Sequence, residues 1–303
     1  MIDLLASSPA LFIGCCLVLG LVIGSFLNVV IHRVPIIMER QWREQCAELE
    51  QPDHLATLPA IAPTAKERFN LVVPRSACPA CKAPITALQN IPIVSYLFLR
   101  GRCASCGVRI SVRYPVVEAL TGVLSAAVAW KPGHGRPAAA GLVLTWFLVA
   151  LAFIDLDTQL LPDSLTLPLL WLGLFLSLFA PAPGTASVPV DMRSSIIGAI
   201  AGYLCLWTVY HLFRLLTAKE GMGYGDFKLL AALGAWLGWK MLLPTVLIAA
   251  AVGAVAGIAL LTARGRDRST PIAFGPFLAA AGWLMLMCGQ ELVTGYLGLF
   301  ASH

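Results

Sequence analysis

Long apolar runs separated by short polar breaks recur along most of the chain, and this rhythm predicts its elements. The first run goes from Pro9 to Ile31 and stops at His32-Arg33. Others cover Tyr114 to Trp130, Ala138 to Ile154, Leu165 to Phe179 and Ser194 to Leu216. Asp226 to Trp239, a stretch ending near Leu261, and a last one from about Pro271 to Met287 complete the series. Each run is continuous rather than alternating, which excludes a membrane β-barrel, and each lies near the ~20 residues that span hydrocarbon as a helix. The expected fold is an all-α polytopic membrane protein with about eight transmembrane helices. Pro115 suits the first turn of the second helix, and Leu161-Pro162-Asp163 breaks the third from the fourth, with Asp163 or Ser164 as N-cap. Gly20-x-x-x-Gly24, Gly234-x-x-x-Gly238 and Gly253-x-x-x-Gly257 are small-residue spacings that let helices approach closely.

Composition agrees with the pattern. Hydrophobic residues make up 58% and charged residues 12%, against roughly 25% charged in soluble domains. The net charge of +5 is unevenly spread, since 11 of the 21 Lys and Arg fall from Arg33 to Arg113. Such an excess marks a cytoplasmic loop, and topology accounts for these charges without a nucleic-acid partner. Arg264, Arg266 and Arg268 form a second basic loop on the same side. The start carries Asp3, no basic residue and a long apolar run, so it reads as a retained first helix rather than a cleaved signal. Three regions are expected: a first transmembrane helix (1–32), a cytoplasmic domain (33–113) and a transmembrane core (114–303).

The cytoplasmic segment holds Cys78-Pro-Ala-Cys81 and Cys103-Ala-Ser-Cys106, two C-x-x-C pairs with 21 residues between them. That is the spacing of a four-thiolate zinc site, in which each pair clamps one side of a tetrahedron. Two disulfides or two redox pairs are the alternative, disfavoured by a reducing compartment. Pro79, Gly101 and Gly107 suit tight turns near the ligands. The other five of the nine cysteines show no comparable spacing.

Two acidic positions border apolar runs. Asp155 ends the third run, and Asp226 follows Gly221, Gly223 and Gly225 at the start of the sixth, about seventy residues later. Ionisable groups at a bilayer boundary are costly and usually functional. If the two meet, one carboxyl keeps its proton, the other acts as base, and a shared water becomes the nucleophile on a peptide carbonyl. The bland alternative is that Asp226 caps its helix and Asp155 ends another in water. Asp157 and Asp163 compete with Asp155, but Asp157 lies in the polar hairpin and Asp163 has a capping explanation. The Gly-x-Gly-x-Gly run has no preceding strand and no βαβ unit, so it is no dinucleotide loop. Glu118 reads as reaching the interface, pairing with a cation such as Arg113, or touching substrate; Asn28 and His32 read as bundle or interface hydrogen-bonders.

Gly24-Ser25-Phe26-Leu27-Asn28-Val29-Val30-Ile31-His32-Arg33, the two C-x-x-C pairs, Arg113-Tyr114-Pro115 with Glu118, Ile154-Asp155 through Leu161-Pro162-Asp163, and Gly223-Tyr224-Gly225-Asp226 occur in one order along nearly the whole chain. Together they resemble a bacterial type IV prepilin peptidase, a G-x-G-D aspartic peptidase of the inner membrane. The resemblance implies cleavage of the short basic leader of type IV prepilins and type II secretion pseudopilins, after a glycine, at the cytoplasmic face. It also implies N-methylation of the new N-terminal residue from S-adenosylmethionine, an activity to which no local sequence feature points. Carried over by motif, the peptidase pair is Asp155 and Asp226, and the zinc ligands are Cys78, Cys81, Cys103 and Cys106. A proton- or ion-coupled transporter and a non-enzymatic scaffold of the secretion machinery are the rival readings. A transporter would show internal repeats or helices broken at midplane, and no repeat is evident.

Overall fold

The computed structural model describes residues 8–49, 69–86, 88–131, 135–180, 188, 190–218, 222–264 and 273–301. The far part of the polar arm, most of the two outer loops, Lys219, Gly221, Arg266, Arg268 and Pro271 lie outside the described residues.

Helix α1 (Pro9–Leu49) is a single helix of 41 residues, well past the expected end at Ile31. Beyond Pro35 the chain is rich in strong helix formers, and Arg43 meets Glu39 one turn earlier at 2.5 Å, so helix propagates into the polar arm. A compact segment follows, with a 3-10 turn at Leu88–Asn90 and a one-turn helix α2 (Val94–Phe98). Then come α3 (Arg113–Trp130), α4 (Arg136–Thr158), α5 (Asp163–Ser177), α6 (Met192–Thr217) and α7 (Tyr224–Leu237). A 3-10 turn (Trp239–Met241) leads into α8 (Leu242–Arg264), and α9 (Gly275–Ala301) closes the bundle. The described residues hold no strand, only two isolated bridges, Ala77 with Pro84 and Arg102 with Arg109.

The eight longer helices match the predicted apolar runs one for one. Among the described residues, four segments are both long and apolar enough to cross a membrane: α1, α4, α6 and 239–259. The 15-residue α5 is apolar but shorter, and α7 has 14 residues. The reason for α7 is its place: all of Leu229 to Leu237 is buried, so protein rather than lipid surrounds it. Apolar side chains are instead exposed on the outer helices, such as Val18, Val22 and Phe26 of α1, Ile200 of α6 and Val255 of α8.

Small residues set the two tightest helix pairs. A Cβ on Gly20 would stand 2.5 Å from the Ser125 hydroxyl, and one on Gly24 would stand 2.8 Å from Glu118 Cα, so α1 lies directly on α3. Gly198 of α6 and Gly234 of α7 face each other backbone to backbone. The Ser195 hydroxyl donates to the Ala235 carbonyl at 2.6 Å beside them, and the fully buried Trp236 donates from Nε1 to the Leu169 carbonyl of α5 at 2.8 Å. These contacts hold α7 at the centre, with its N-terminal end beside the ends of α4 and α9.

Candidate active site and candidate metal centre

Asp155 occupies the last turn of α4, which stops at Gln159 in a left-handed C-cap (φ 55°) whose N–H returns to the Asp155 carbonyl. Asp226 occupies the first turn of α7, after an extended Gly223. Aromatic contacts fix this entry: Tyr224 lies 5.2 Å from Tyr210 of α6 and 5.5 Å from Phe227, ring centre to ring centre. Only 5% of Asp155 and 6% of Asp226 is exposed, and the two carboxyls are close enough to interact electrostatically. None of the described ion pairs includes either one.

Leu161, in the hairpin between α4 and α5, is the spacer that brings these ends together. A Cβ on Gly225 would stand 2.6 Å from Leu161 Cβ, which is why the residue before Asp226 has no side chain. On the other side, Gly275 opens α9 and donates its N–H to Asp155 Oδ2 at 2.9 Å. A Cβ there would stand 2.5 Å from that oxygen and 3.3 Å from Leu161 Cδ1. Gly275 was missed from sequence; its only signal was a glycine-proline pair at the start of an apolar run.

The competing acids are engaged elsewhere. Asp157 is still helical and meets Arg113 at 2.5 Å, and Asp163 holds Lys228 Nζ at 2.6 and 2.8 Å. Asp163 is therefore no N-cap; Pro162 takes that position and Asp163 is the first helical residue. Glu118 does not pair with Arg113 among the described ion pairs. It is buried, accepts the Ile93 N–H at 2.8 Å, and so ties the cysteine-bearing segment to α3. Arg33 does the same for α1, donating to the Asn70 and Pro74 carbonyls at 2.8 and 2.6 Å.

The four cysteines Cys78, Cys81, Cys103 and Cys106 converge, with their Sγ atoms all within 4.8 Å of one another. Cys78 lies 3.8 Å from Cys106 and Cys81 4.0 Å from Cys103, Sγ to Sγ. A disulfide requires about 2.05 Å, so these are free thiols. Four thiolates at about 2.3 Å from one ion are spaced about 3.8 Å apart in a tetrahedron, which these separations fit. The two halves repeat one backbone design. Lys82 N–H returns to Cys78 O and Gly107 N–H to Cys103 O, each at 2.9 Å, and Lys82 and Gly107 are both left-handed (φ 58° and 71°). Sequence located Gly107 but not Lys82, a non-glycine in the equivalent place.

The knuckle N–H groups act on the sulfurs. Those of Cys106 and Ser105 bring the Cys103 thiol down to about 6, and those of Cys81 and Ala80 lower Cys78. The Val108 N–H works in the same sense on Cys106, but lost solvation and the neighbouring cysteines outweigh it and push that thiol up to about 11. Four thiolates cannot crowd together without a counter-charge, and a divalent cation supplies one.

Comparison with known proteins adds a family context. Residues 18–132 match the family model described as the bacterial peptidase A24 N-terminal domain, and residues 142–258 match that of the type IV leader peptidase family. A prepilin leader peptidase/N-methyltransferase of Stutzerimonas stutzeri is 50% identical over 297 residues, covering 98% of this chain and 97% of the relative. Proteins of the same name from Pseudomonas aeruginosa and Neisseria gonorrhoeae are 48% and 49% identical, over 98% and 96% of this chain and 97% and 96% of theirs. No solved structure matches.

Proposed function

This chain belongs to the type IV leader peptidase family, and we propose that it cuts the short basic leader from type IV prepilins and type II secretion pseudopilins after a glycine, then methylates the freed N-terminal amine. The observation that carries the peptidase half is the burial of two carboxyls, Asp155 and Asp226, on helix ends about seventy residues apart and within electrostatic reach of each other, with no cation beside either among the described ion pairs. Such a pair holds one proton between its members. The N–H that Asp155 receives from the start of α9 favours its carboxylate form. Asp155 is then the base that takes a proton from water, and Asp226 carries the proton that polarises the scissile carbonyl. Donor and acceptor end the step exchanged, and collapse of the tetrahedral adduct returns the proton to the leaving amine.

The same helix ends support a placement of the reaction at the membrane boundary. A prepilin carries its cleavage point between a basic leader and an apolar helix, so that bond lies at the membrane boundary. Asp155 and Asp226 lie at ends of apolar helices, on the side of the basic cysteine-bearing segment, which we assign to the cytoplasm of a bacterial inner membrane. Lipid is the surrounding partner. Zinc is the ion we assign to Cys78, Cys81, Cys103 and Cys106, because soft thiolates in a closed tetrahedron suit it. It would hold the segment folded on α1 and α3. S-adenosylmethionine is the methyl donor implied by the relatives' activity.

The test is an in-vitro reaction of the purified chain with a prepilin bearing a Gly-Phe junction. Asp155→Asn and Asp226→Asn each abolish cleavage while leaving helicity and melting temperature close to the parent. Cleavage undiminished in both variants rejects the assignment. Mass spectrometry of the product shows one added methyl at its N-terminus when S-adenosylmethionine is present, and its absence during active cleavage rejects the second activity.

A further inference from the structure

The cytoplasmic end of the bundle carries a second concavity, on the far side of α4 from the paired aspartates. It has a volume of about 490 Å³ and lies between α1, the start of α3 and the end of α4. Residues 155 and 157 are about 200° apart around a helix of 3.6 residues per turn. Asp155 therefore faces α9 while Asp157 lines this cleft, and the two sites share a helix end without sharing a face.

Most of the cleft is built by the N-terminal family unit. Asn28, His32, Glu39, Trp42, Ser111, Arg113 and Tyr114 fall within residues 18–132, whereas only Asp157, Thr158 and Leu160 come from the peptidase unit. The relatives carry two activities, and both aspartates of the proposed peptidase pair lie within residues 142–258. Resting on the bifunctional reading above, we propose that this cleft binds the S-adenosyl methyl donor.

The chemistry of the walls matches that ligand group by group. The donor carries two cations, a sulfonium and an ammonium, with one carboxylate, a ribose and an adenine. The cleft offers two acids, Glu39 and Asp157, against one cation, Arg113. Glu39 and Asp157 are matched to the donor's two cations, and Arg113 to its carboxylate. Glu39 also meets Arg43 on the outer surface of α1, and Arg113 is already paired with Asp157. That pairing presents a positive and a negative group side by side, the arrangement an amino-acid head group requires. Trp42 and Tyr114 supply aromatic faces for adenine or the sulfonium. Asn28 is held by its Nδ2, which donates to the Tyr114 carbonyl at 3.1 Å, leaving its oxygen as an acceptor. In the transfer the substrate amine forms an N–C bond as the donor's C–S bond breaks. One proton leaves the amine for a base, and His32 is the cleft's imidazole; the spent donor departs as a neutral thioether.

The geometry also orders the two reactions. An uncleaved leader bound at Asp155 and Asp226 keeps its peptide nitrogen on the wrong side of α4. Only the freed, mobile N-terminus can pass around the end of that helix to reach the cleft.

The experiment is equilibrium binding of tritiated S-adenosylmethionine to the full chain in lipid nanodiscs, with Trp42→Ala and Glu39→Gln as variants on the exposed side of α1. Both are expected to weaken binding at least tenfold and to lower methyl transfer at limiting donor, while leader cleavage persists. Binding within twofold of the parent in both variants overturns the proposal, as does photo-crosslinking of the donor to peptides outside the cleft. Unchanged donor binding with a raised KM for prepilin cleavage would assign the cleft to the basic leader instead, and also overturns it. A parent chain that cleaves but binds no donor and transfers no methyl removes the bifunctional reading itself, a result distinct from failure of the cleft alone.

Discussion

Gly275→Ala tests whether the start of α9 sets the position of Asp155. The new methyl would lie 2.5 Å from Oδ2 and 3.0 Å from Cγ, where ordinary contact begins near 3.4 Å. The carboxyl must therefore retreat by about 0.9 Å, the difference between 3.4 and 2.5 Å. Sideways escape is limited, because Leu161 Cδ1 lies 3.3 Å from the same methyl. A displacement of ~1 Å in a reacting group costs on the order of 10²-fold in rate, or about 2.7 kcal/mol in the barrier. Over-packing of this kind costs about 1–3 kcal/mol of stability, small enough for the bundle to fold. Cleavage kinetics on a prepilin substrate and thermal melting are measured together. The matched control is Gly282→Ala on the same helix, whose methyl would lie 2.5 Å from Leu233 Cδ2, an apolar and flexible neighbour away from the aspartates. Expected is a roughly 100-fold loss of kcat for Gly275→Ala and near-parental cleavage for Gly282→Ala. Near-parental cleavage by Gly275→Ala, or an equal loss in both variants, refutes the reasoning.

Other perturbations separate the supporting contacts. Glu118→Ala leaves the Ile93 N–H without its acceptor and is expected to cost about 1–3 kcal/mol, read as earlier proteolysis of the cysteine-bearing segment, whereas Glu118→Gln keeps an acceptor and recovers most of it. Cys103→Ser, or a strong chelator, is expected to remove stoichiometric metal by elemental analysis and to expose the same segment to protease while the helical content of the bundle persists. Lys228→Met breaks a part-exposed pair with Asp163 and is expected to lower stability by no more than about 1 kcal/mol, with the residual effect fading at high salt. Gly234→Val places a side chain against the Gly198 backbone and is expected to separate α6 from α7, seen as loss of a defined melting transition.

The sequence by itself determined the class and the long helices seen among the described residues, and it singled out the residues proposed for both centres. Continuous apolar runs can only be helices in lipid, since every backbone group must be satisfied within the segment. Two C-x-x-C pairs announce a thiolate cluster because each knuckle is local. Asp155 and Asp226 stood out because each is a charge bordering an apolar run. Partners across the fold were a different matter. Arg113 with Asp157, Lys228 with Asp163, Glu118 with Ile93 and Gly275 with Asp155 all join distant segments. Membrane helices are apolar on every side, so the 3.6-residue pattern that shows which face turns inward in a soluble protein is largely erased. Facing had to come from close packing, such as Gly20 and Gly24 on α3 and Gly198 against Gly234, which fixes each helix in rotation and depth. Only that fixing brought the two carboxyls within electrostatic reach of each other, and it left Asp157 on the opposite face of the same helix, lining a cleft that no run of residues announces.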